Sequence, residues 1–271
     1  MRPFLLFTKE QALCCIFPAL VFTLLGLSHF FTGMMYRYDF MLIGCIAVQF
    51  ALYKLKFETA DEVLVICVFH FLGLLMELFK THIGSWSYPE YSLTKVFGVP
   101  LYSGFMYASV ACYMCQAWRR FDLRFYNWPN HYAARVIAAL IYLNFFTNHF
   151  IIDVRYAIAV LIIYHFRKAV VEFIIKGKAY RMPVILSFLL IGFFIWLAEN
   201  IATRLGAWKY AYQHHTWAMV NYQKISSWAF LVIVSYIIIA ELKTIKQKNP
   251  AGLPESKKQP ETIMPGISRY V

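Results

Sequence analysis

Two glutamates, Glu77 and Glu199, occupy equivalent places in two similar stretches of the sequence. Residues 71–88 and 193–210 align without a gap, and seven of the 18 positions are identical. A carboxyl group in apolar surroundings is costly to ionise, so it can hold a proton for donation to a bound substrate. The recurring pair therefore predicts acid–base chemistry, with Glu77 and Glu199 as the catalytic residues.

The segment after each glutamate repeats the pattern T-x-x-G-x-W-x-Y. Gly84 and Gly206 can adopt the left-handed conformation that closes a helix. The four aromatic residues that follow are Trp86, Tyr88, Trp208 and Tyr210. A structural interpretation makes them anchors at the membrane–water interface, but it leaves the glutamates unexplained. A functional interpretation is also open: all four aromatic residues would bind substrate.

Further polar residues could line one cavity with the glutamates. His70 lies seven residues before Glu77, two helical turns away on the same face, and Asn144 lies in a later apolar run; we predict that both bind substrate. Other candidates on the same side are His82, Glu90, His149, Asp153, His214 and His215. His149 and Asp153 have an i, i+4 spacing, but the sequence has no H-x-x-x-H or H-E-x-x-H pattern. We therefore predict no metal, and the pattern names no cofactor.

The elements that carry these residues are apolar runs long enough to cross a bilayer. Hydrophobic residues make up 61% of the 271-residue chain and charged residues 15%, with a net charge of +12. A soluble domain has about 25% charged residues. The basic residues lie between the apolar runs, which is typical of loops in a membrane protein and argues against nucleic-acid binding. Six spans are predicted at residues 12–31, 38–53, 63–79, 99–118, 184–201 and 226–242.

One further run, residues 133–166, predicts two spans. As a single helix it would measure about 50 Å, against a hydrocarbon core of about 30 Å. We place a tight turn near residues 148–153, which gives eight spans in all. With both termini in the cytoplasm, nineteen of the 26 Lys and Arg residues face inward, as the positive-inside rule requires. The lipid bilayer of the cell inner (plasma) membrane is then the chief partner, and the polar tail, residues 247–271, is a disordered cytoplasmic extension.

The two glutamate-bearing stretches fall in the third and the seventh span. Four spans separate them, so both copies point the same way across the membrane. The predicted fold is therefore all-α, a polytopic helical bundle of about eight spans built as two parallel four-helix repeats. The transmembrane domain covers residues 1–246, with halves at about 1–124 and 125–246; the sequence does not give an oligomeric state.

Two segments carry a resemblance to a known family. The run ELFKTHIGSWSYPE at residues 77–90, and the run KVFGVPLYSGFMYASVACYMCQAWRRFDLR at residues 95–124, closely resemble domain-of-unknown-function family 817. Its members are bacterial integral membrane proteins, and the resemblance extends to about residue 245. The resemblance implies a multi-span fold, but it does not indicate an activity.

A shorter pattern is similar to carotenoid hydratases and the small-subunit type of lycopene cyclase. A membrane glutamate is followed by a glycine, an aromatic pair and then Gly98-Val99-Pro100, although the second copy lacks the Gly-Val-Pro. The similarity implies protonation of a polyene by a membrane-embedded acid.

Two classes of function follow. The first is a membrane enzyme that acts on an isoprenoid or another lipid through the two carboxylates. The second is a transporter or binding protein for a small molecule, in which two parallel halves rock about a central site. A structural membrane partner is a third interpretation. Changes in the cell's lipids would favour the enzyme, and glutamate-dependent uptake or export would favour the transporter.

Overall fold

The computed structural model describes residues 3–248, with side chains from Phe4 to Ala240. Most of the described chain is helical. The helices are α1 Pro3–Cys14, α2 Ile16–Leu27, α3 Arg37–Lys54, α4 Ala60–His82, α5 Gly104–Arg120, α6 His131–Thr147, α7 Arg155–Phe166, α8 Val184–Arg204 and α9 Lys224–Lys248. The predicted tail lies outside the described residues from position 249 on.

Short strands accompany the helices, which corrects the all-α prediction. They are β1 Trp86–Ser87, β2 Lys95–Val96, β3 Val99–Pro100, β4 Arg124–Tyr126, β5 Val170–Ile175, β6 Lys178–Pro183 and β7 Lys209–Tyr210. All pairings are antiparallel: β1 with β7, β2 with β3, and β4–β5–β6 as a three-stranded sheet. The β5–β6 hairpin turns at Lys176 and Gly177, both with positive φ.

Two compact units divide the chain. Among the described residues, the first unit comprises 3–121 and Phe193–Ile225, and the second comprises Asp122–Gly192 and 226–248. The chain leaves the second unit within α8 and returns to it within α9. Helices α1–α5 and the strand pair β1–β7 belong to the first unit, whereas α6, α7 and the three-stranded sheet belong to the second.

Two described helices, α4 and α8, are long and apolar enough to cross a membrane. The pair α1–α2 passes the same test only when taken together, and it bends by 60° between the two helices. Pro18, in the first turn of α2, has no N–H to bond back toward α1, which accounts for a break within the predicted first span. Two or three spans are therefore supported by length and composition, fewer than the eight predicted.

The predicted turn in the long run is confirmed, because α6 ends at Thr147 and α7 begins at Arg155. The predicted fourth span begins late. Residues 99–100 form β3, Leu101–Ser103 form a 3-10 turn, and the helix starts only at Gly104. Pro100 is extended and lies opposite Lys95 in the β2–β3 pair, so the helix starts after it.

Candidate functional site

Helices α4 and α8 end in the same way. Gly84 and Gly206 both have φ of 73°, which confirms the predicted left-handed helix ends. In each copy the glycine N–H bonds three residues back, to Thr81 and Thr203 respectively. The next N–H bonds five residues back, which completes a Schellman motif. The same local sequence thus turns the chain in the same way after each glutamate.

The strands that follow these two turns pair with each other. Trp86 lies opposite Tyr210, and Ser87 lies opposite Lys209. Since residues 87 and 209 are equivalent in the aligned stretches, the antiparallel ribbon is symmetric about that pair. The ribbon brings the aromatic residues of the two copies together within the first unit, and the rings of Trp86 and Tyr210 lie 6.0 Å apart.

Glu77 is buried and accepts three side-chain hydrogen bonds. Trp86 Nε1 and Tyr88 OH each donate to its Oε2 at 2.7 Å, and Tyr107 OH donates to its Oε1 at 2.8 Å. Only 3% of the glutamate is exposed. All three donors are neutral, so the carboxyl group is fixed by directed dipoles, the arrangement by which a buried polar group offsets its lost hydration.

Tyr107 reaches the carboxyl group because of a glycine. A Cβ at Gly73 would lie 2.6–2.7 Å from the ring and Cβ atoms of Tyr107. Only glycine leaves room for the tyrosine at this place on α4, one turn before Glu77. Tyr107 was missed from the sequence because it belongs to α5, and nothing local links it to the glutamate.

Glu199 is bonded by an equivalent tyrosine. Tyr210 OH donates to Glu199 Oε1 at 2.5 Å, and Tyr210 has a side-chain hydrogen bond with Trp208. Glu199 is also 3% exposed. In both copies, therefore, the glutamate is bonded by the tyrosine eleven residues later. We call the two glutamates with Trp86, Tyr88, Tyr107, Trp208 and Tyr210 the carboxylate cage.

The cage aromatics are buried, which corrects their interpretation as interface anchors. Trp86, Tyr88, Trp208 and Tyr210 are each at most 9% exposed. Burial, followed by the charge of the adjacent glutamate, raises the pKa of Tyr88 and Tyr210 well above the ordinary value. Both phenols therefore stay protonated and act as hydrogen-bond donors.

The side chain of Lys224 packs against the aromatic rings of this ribbon. Lys224 Nζ is 5.4 Å from the centre of the Trp86 ring and 4.9 Å from that of Tyr210. Its charge is close enough to interact with Glu77. The aromatic faces of the cage thus already accommodate a positive charge. Lys224 lies between the predicted spans 184–201 and 226–242, and no spacing rule connects it with the glutamates.

The turn after α8 is held by side chains from the start of α3 and from the 3-10 turn. Arg37 donates to the carbonyl of Leu205 at 2.6 Å and pairs with Glu90. Tyr102 OH donates to the carbonyl of Ala207 at 2.5 Å. These contacts fix the backbone that leads into β7, so the pairing of the two copies does not depend on the ribbon alone.

The other two predicted substrate-binding residues, His70 and Asn144, lie in different units of the protein. His70 is on α4 with its ring 4.4 Å from that of Phe105, within the first unit. Asn144 belongs to the second unit, where it bonds Asp153 Oδ1 at 3.0 Å and the backbone N–H of Val154 at 2.9 Å. It organises the α6–α7 turn. In the described part of the chain, no group of three or more His, Cys, Asp or Glu side chains is arranged to hold a metal.

Comparison with known proteins gives a family without an assigned activity. A family model described as "Protein of unknown function (DUF817)" matches residues 3–236. The "Uncharacterized protein YoaT" of Bacillus subtilis (strain 168) is 53% identical over 245 residues, which cover 90% of this chain and 93% of that protein. No solved structure matches. These comparisons do not show the similarity to carotenoid hydratases and lycopene cyclases.

Proposed function

The chain belongs to the DUF817 family, and we propose that it is a multi-pass membrane enzyme that performs acid–base chemistry on an isoprenoid or another lipid. The observation that carries the proposal is the carboxylate cage. Trp86 and Tyr210, which face each other on one ribbon, bond the two buried glutamates, and Glu77 is held by three neutral donors. Ionisable groups inside membrane-spanning helices are costly, so they are candidates for function by default.

The proposed chemistry is a proton transfer at a carbon–carbon double bond. Glu77, in its protonated form, gives its proton to one alkene carbon, and the other carbon becomes cationic. Glu199, as the carboxylate, removes a proton from a neighbouring carbon, and the double bond re-forms one position along. Atoms and charge balance over this step, which leaves Glu77 ionised and Glu199 protonated; a proton returns from Glu199 to Glu77 before the next turnover. The aromatic rings of the cage other than those that hold Lys224 would stabilise the cation.

The proposal includes the finer topology. Eight spans in two parallel four-helix halves would place both termini in the cytoplasm and the glutamates near the outer leaflet. The inward bias of Lys and Arg supports this orientation. The register of β1 with β7, symmetric about residues 87 and 209, supports two halves related by a two-fold axis.

Substitution of the glutamates tests the proposal. Glu77→Gln and Glu199→Gln keep the shape of the side chain but cannot exchange a proton in the same way. We expect extracted membrane lipids and pigments, read by mass spectrometry, to lose a product or to accumulate a precursor in both variants. Glu62→Gln is the matched control, because Glu62 caps the start of the same helix and glutamine can replace it there. Lipid profiles identical in all strains would overturn the enzyme proposal.

A transporter of organic cations is the second candidate, and Lys224 favours it. An ammonium group between two aromatic faces, beside buried carboxylates, occupies the kind of site that an exogenous cation would bind. In that case Glu77→Gln would change the uptake or export of a quaternary ammonium compound and leave lipid profiles unchanged.

A further inference from the structure

Helices α4 and α5 approach closely at two glycines, and polar side chains lie beside both. Gly73 faces Tyr107, as described above. Gly104 faces His70: a Cβ at residue 104 would lie 2.6 Å from the carbonyl oxygen of His70 and 2.8 Å from its Nδ1. The imidazole of His70 therefore packs directly against the first residue of α5, near the middle of α4.

Each side of this second contact carries a buried polar atom that has no hydrogen-bond partner among the described residues. His70 Nδ1 and Ser103 Oγ are both buried, and neither has a hydrogen-bond partner within the described range 3–248. Ser103 directly precedes Gly104 and is 0% exposed. A buried polar atom without a partner costs free energy, and folded proteins almost always provide one.

The local backbone does not satisfy Ser103. Serine on a helix commonly donates to the carbonyl four residues back, as Ser109 of α5 does to Phe105 at 2.8 Å. Ser103 makes no such bond. The nearest described aromatic neighbour is Phe105, whose ring contacts both His70 and Phe17.

From these contacts we propose that His70 and Ser103 form a subsite for the hydroxyl group of an apolar ligand. A hydroxyl group both donates and accepts, so it can bond the imidazole nitrogen and the serine oxygen together. The ligand class, an isoprenoid or lipid alcohol, rests on the proposed function. Along α4 the subsite lies seven residues from Glu77, roughly 10 Å. This spacing would hold a polar end group apart from the reacting carbons of the chain.

Ligand binding by the full-length protein in detergent tests the subsite. The probes are farnesol and the C15 hydrocarbon that lacks only its hydroxyl group, with binding read from tryptophan fluorescence. We expect the wild-type protein to prefer farnesol by about tenfold, as one net hydrogen bond predicts. Ser103→Ala and His70→Phe should abolish the preference. Ser109→Ala is the matched control and should keep it.

Thermal unfolding provides the second readout. Without ligand, Ser103→Ala removes an unsatisfied hydroxyl group and should leave the melting temperature equal or raise it. With farnesol present, the wild-type protein should gain more stability than the variant. An unchanged farnesol preference in Ser103→Ala overturns the inference, as does a melting temperature that falls with no change in binding, which would indicate a bound water only.

The two proposals can fail separately. If farnesol binding depends on Ser103 while Glu77→Gln and Glu199→Gln leave cellular lipids unchanged, the subsite stands and the enzyme proposal fails. If the lipid profiles change but neither probe distinguishes Ser103→Ala from the wild type, the enzyme proposal stands and the subsite is wrong.

Discussion

At the scale of single residues, the carboxyl group of Glu77 determines what its neighbours must be. Each oxygen needs a donor that stays protonated inside the protein, and indole and phenol groups meet that requirement. Trp86 and Tyr88 follow α4 in the chain, whereas Tyr107 lies on α5. Its OH donates to Glu77 Oε1 at 2.8 Å. Its hydroxyl group therefore joins the glutamate of α4 to α5 and adds to the helix contact at Gly73.

The first prediction concerns this hydrogen bond. Tyr107→Phe should lower the free energy of unfolding by about 1–3 kcal/mol, because it removes a buried donor to an acidic side chain and leaves Oε1 without it. Denaturant unfolding in detergent measures the change. Tyr132→Phe is the control, since Tyr132 is 78% exposed and should show no effect. Equal stability of the two variants would mean that the hydrogen bond contributes nothing.

At the scale of elements, close approach of α4 and α5 requires glycine. Our second prediction is that Gly73→Ala destabilises the protein by about 1–3 kcal/mol, because the new methyl group meets Tyr107 at 2.6–2.7 Å and must displace it from Glu77. Gly26→Ala is the matched control, since a Cβ there meets nothing within 4 Å and alanine favours a helix. Its melting temperature should stay equal or rise. A Gly73→Ala variant as stable as the wild type would contradict the close contact.

The turn between α6 and α7 gives a prediction about pH. Burial alone would raise the pKa of Asp153, but hydrogen bonds from Asn144 and Arg155, with the charge of Arg155, lower it. Because the folded-state pKa is the lower one, the ionised carboxylate stabilises the turn above its ordinary pKa. That contribution is lost as the pH falls below about 4 and through the folded-state value.

Asp153→Asn should therefore lower the melting temperature at pH 7, and its difference from the wild type should shrink toward pH 3. Thermal unfolding across this range measures the difference. Asp122→Asn is the control, because the Asp122 side chain is 60% exposed and should show a small effect at every pH. A constant difference for Asp153→Asn from pH 3 to pH 7 would show that ionisation of the carboxyl group is not the cause.

The elements also show which features a sequence can predict. The helix ends at Gly84 and Gly206 were predictable because a left-handed residue has a strong local preference for glycine. The β5–β6 hairpin carries a local turn signal too, Gly177 after Lys176, but the segments on either side of it were not predicted as strands. The Tyr107 and Lys224 contacts depend on tertiary packing, so no spacing in the chain could reveal them.

At the scale of the whole molecule, the surface of the described residues bears large apolar side chains along α3 and α7. Exposed examples on α3 are Ile43, Ile46, Phe50 and Tyr53, and examples on α7 are Tyr156, Val160, Ile163 and Tyr164. Helix α7 has 12 residues, about 18 Å, which is shorter than the hydrocarbon core. A helix of this length can serve as a span where the bilayer thins or flanking Arg167 and Lys168 reach outward.

The last prediction tests the number of spans. Eight spans with a cytoplasmic N-terminus require a cytoplasmic C-terminus, whereas three would place the two termini on opposite sides. A fluorescent protein fused to the C-terminus should fluoresce, and alkaline phosphatase fused at the same point should be inactive, because each folds on one side of the membrane only. Fusions after Gly177 in the β5–β6 turn should behave in the same way, while fusions after His214 should show the reverse. Active phosphatase at the C-terminus would rule out an even number of spans and, with it, the two parallel four-helix halves.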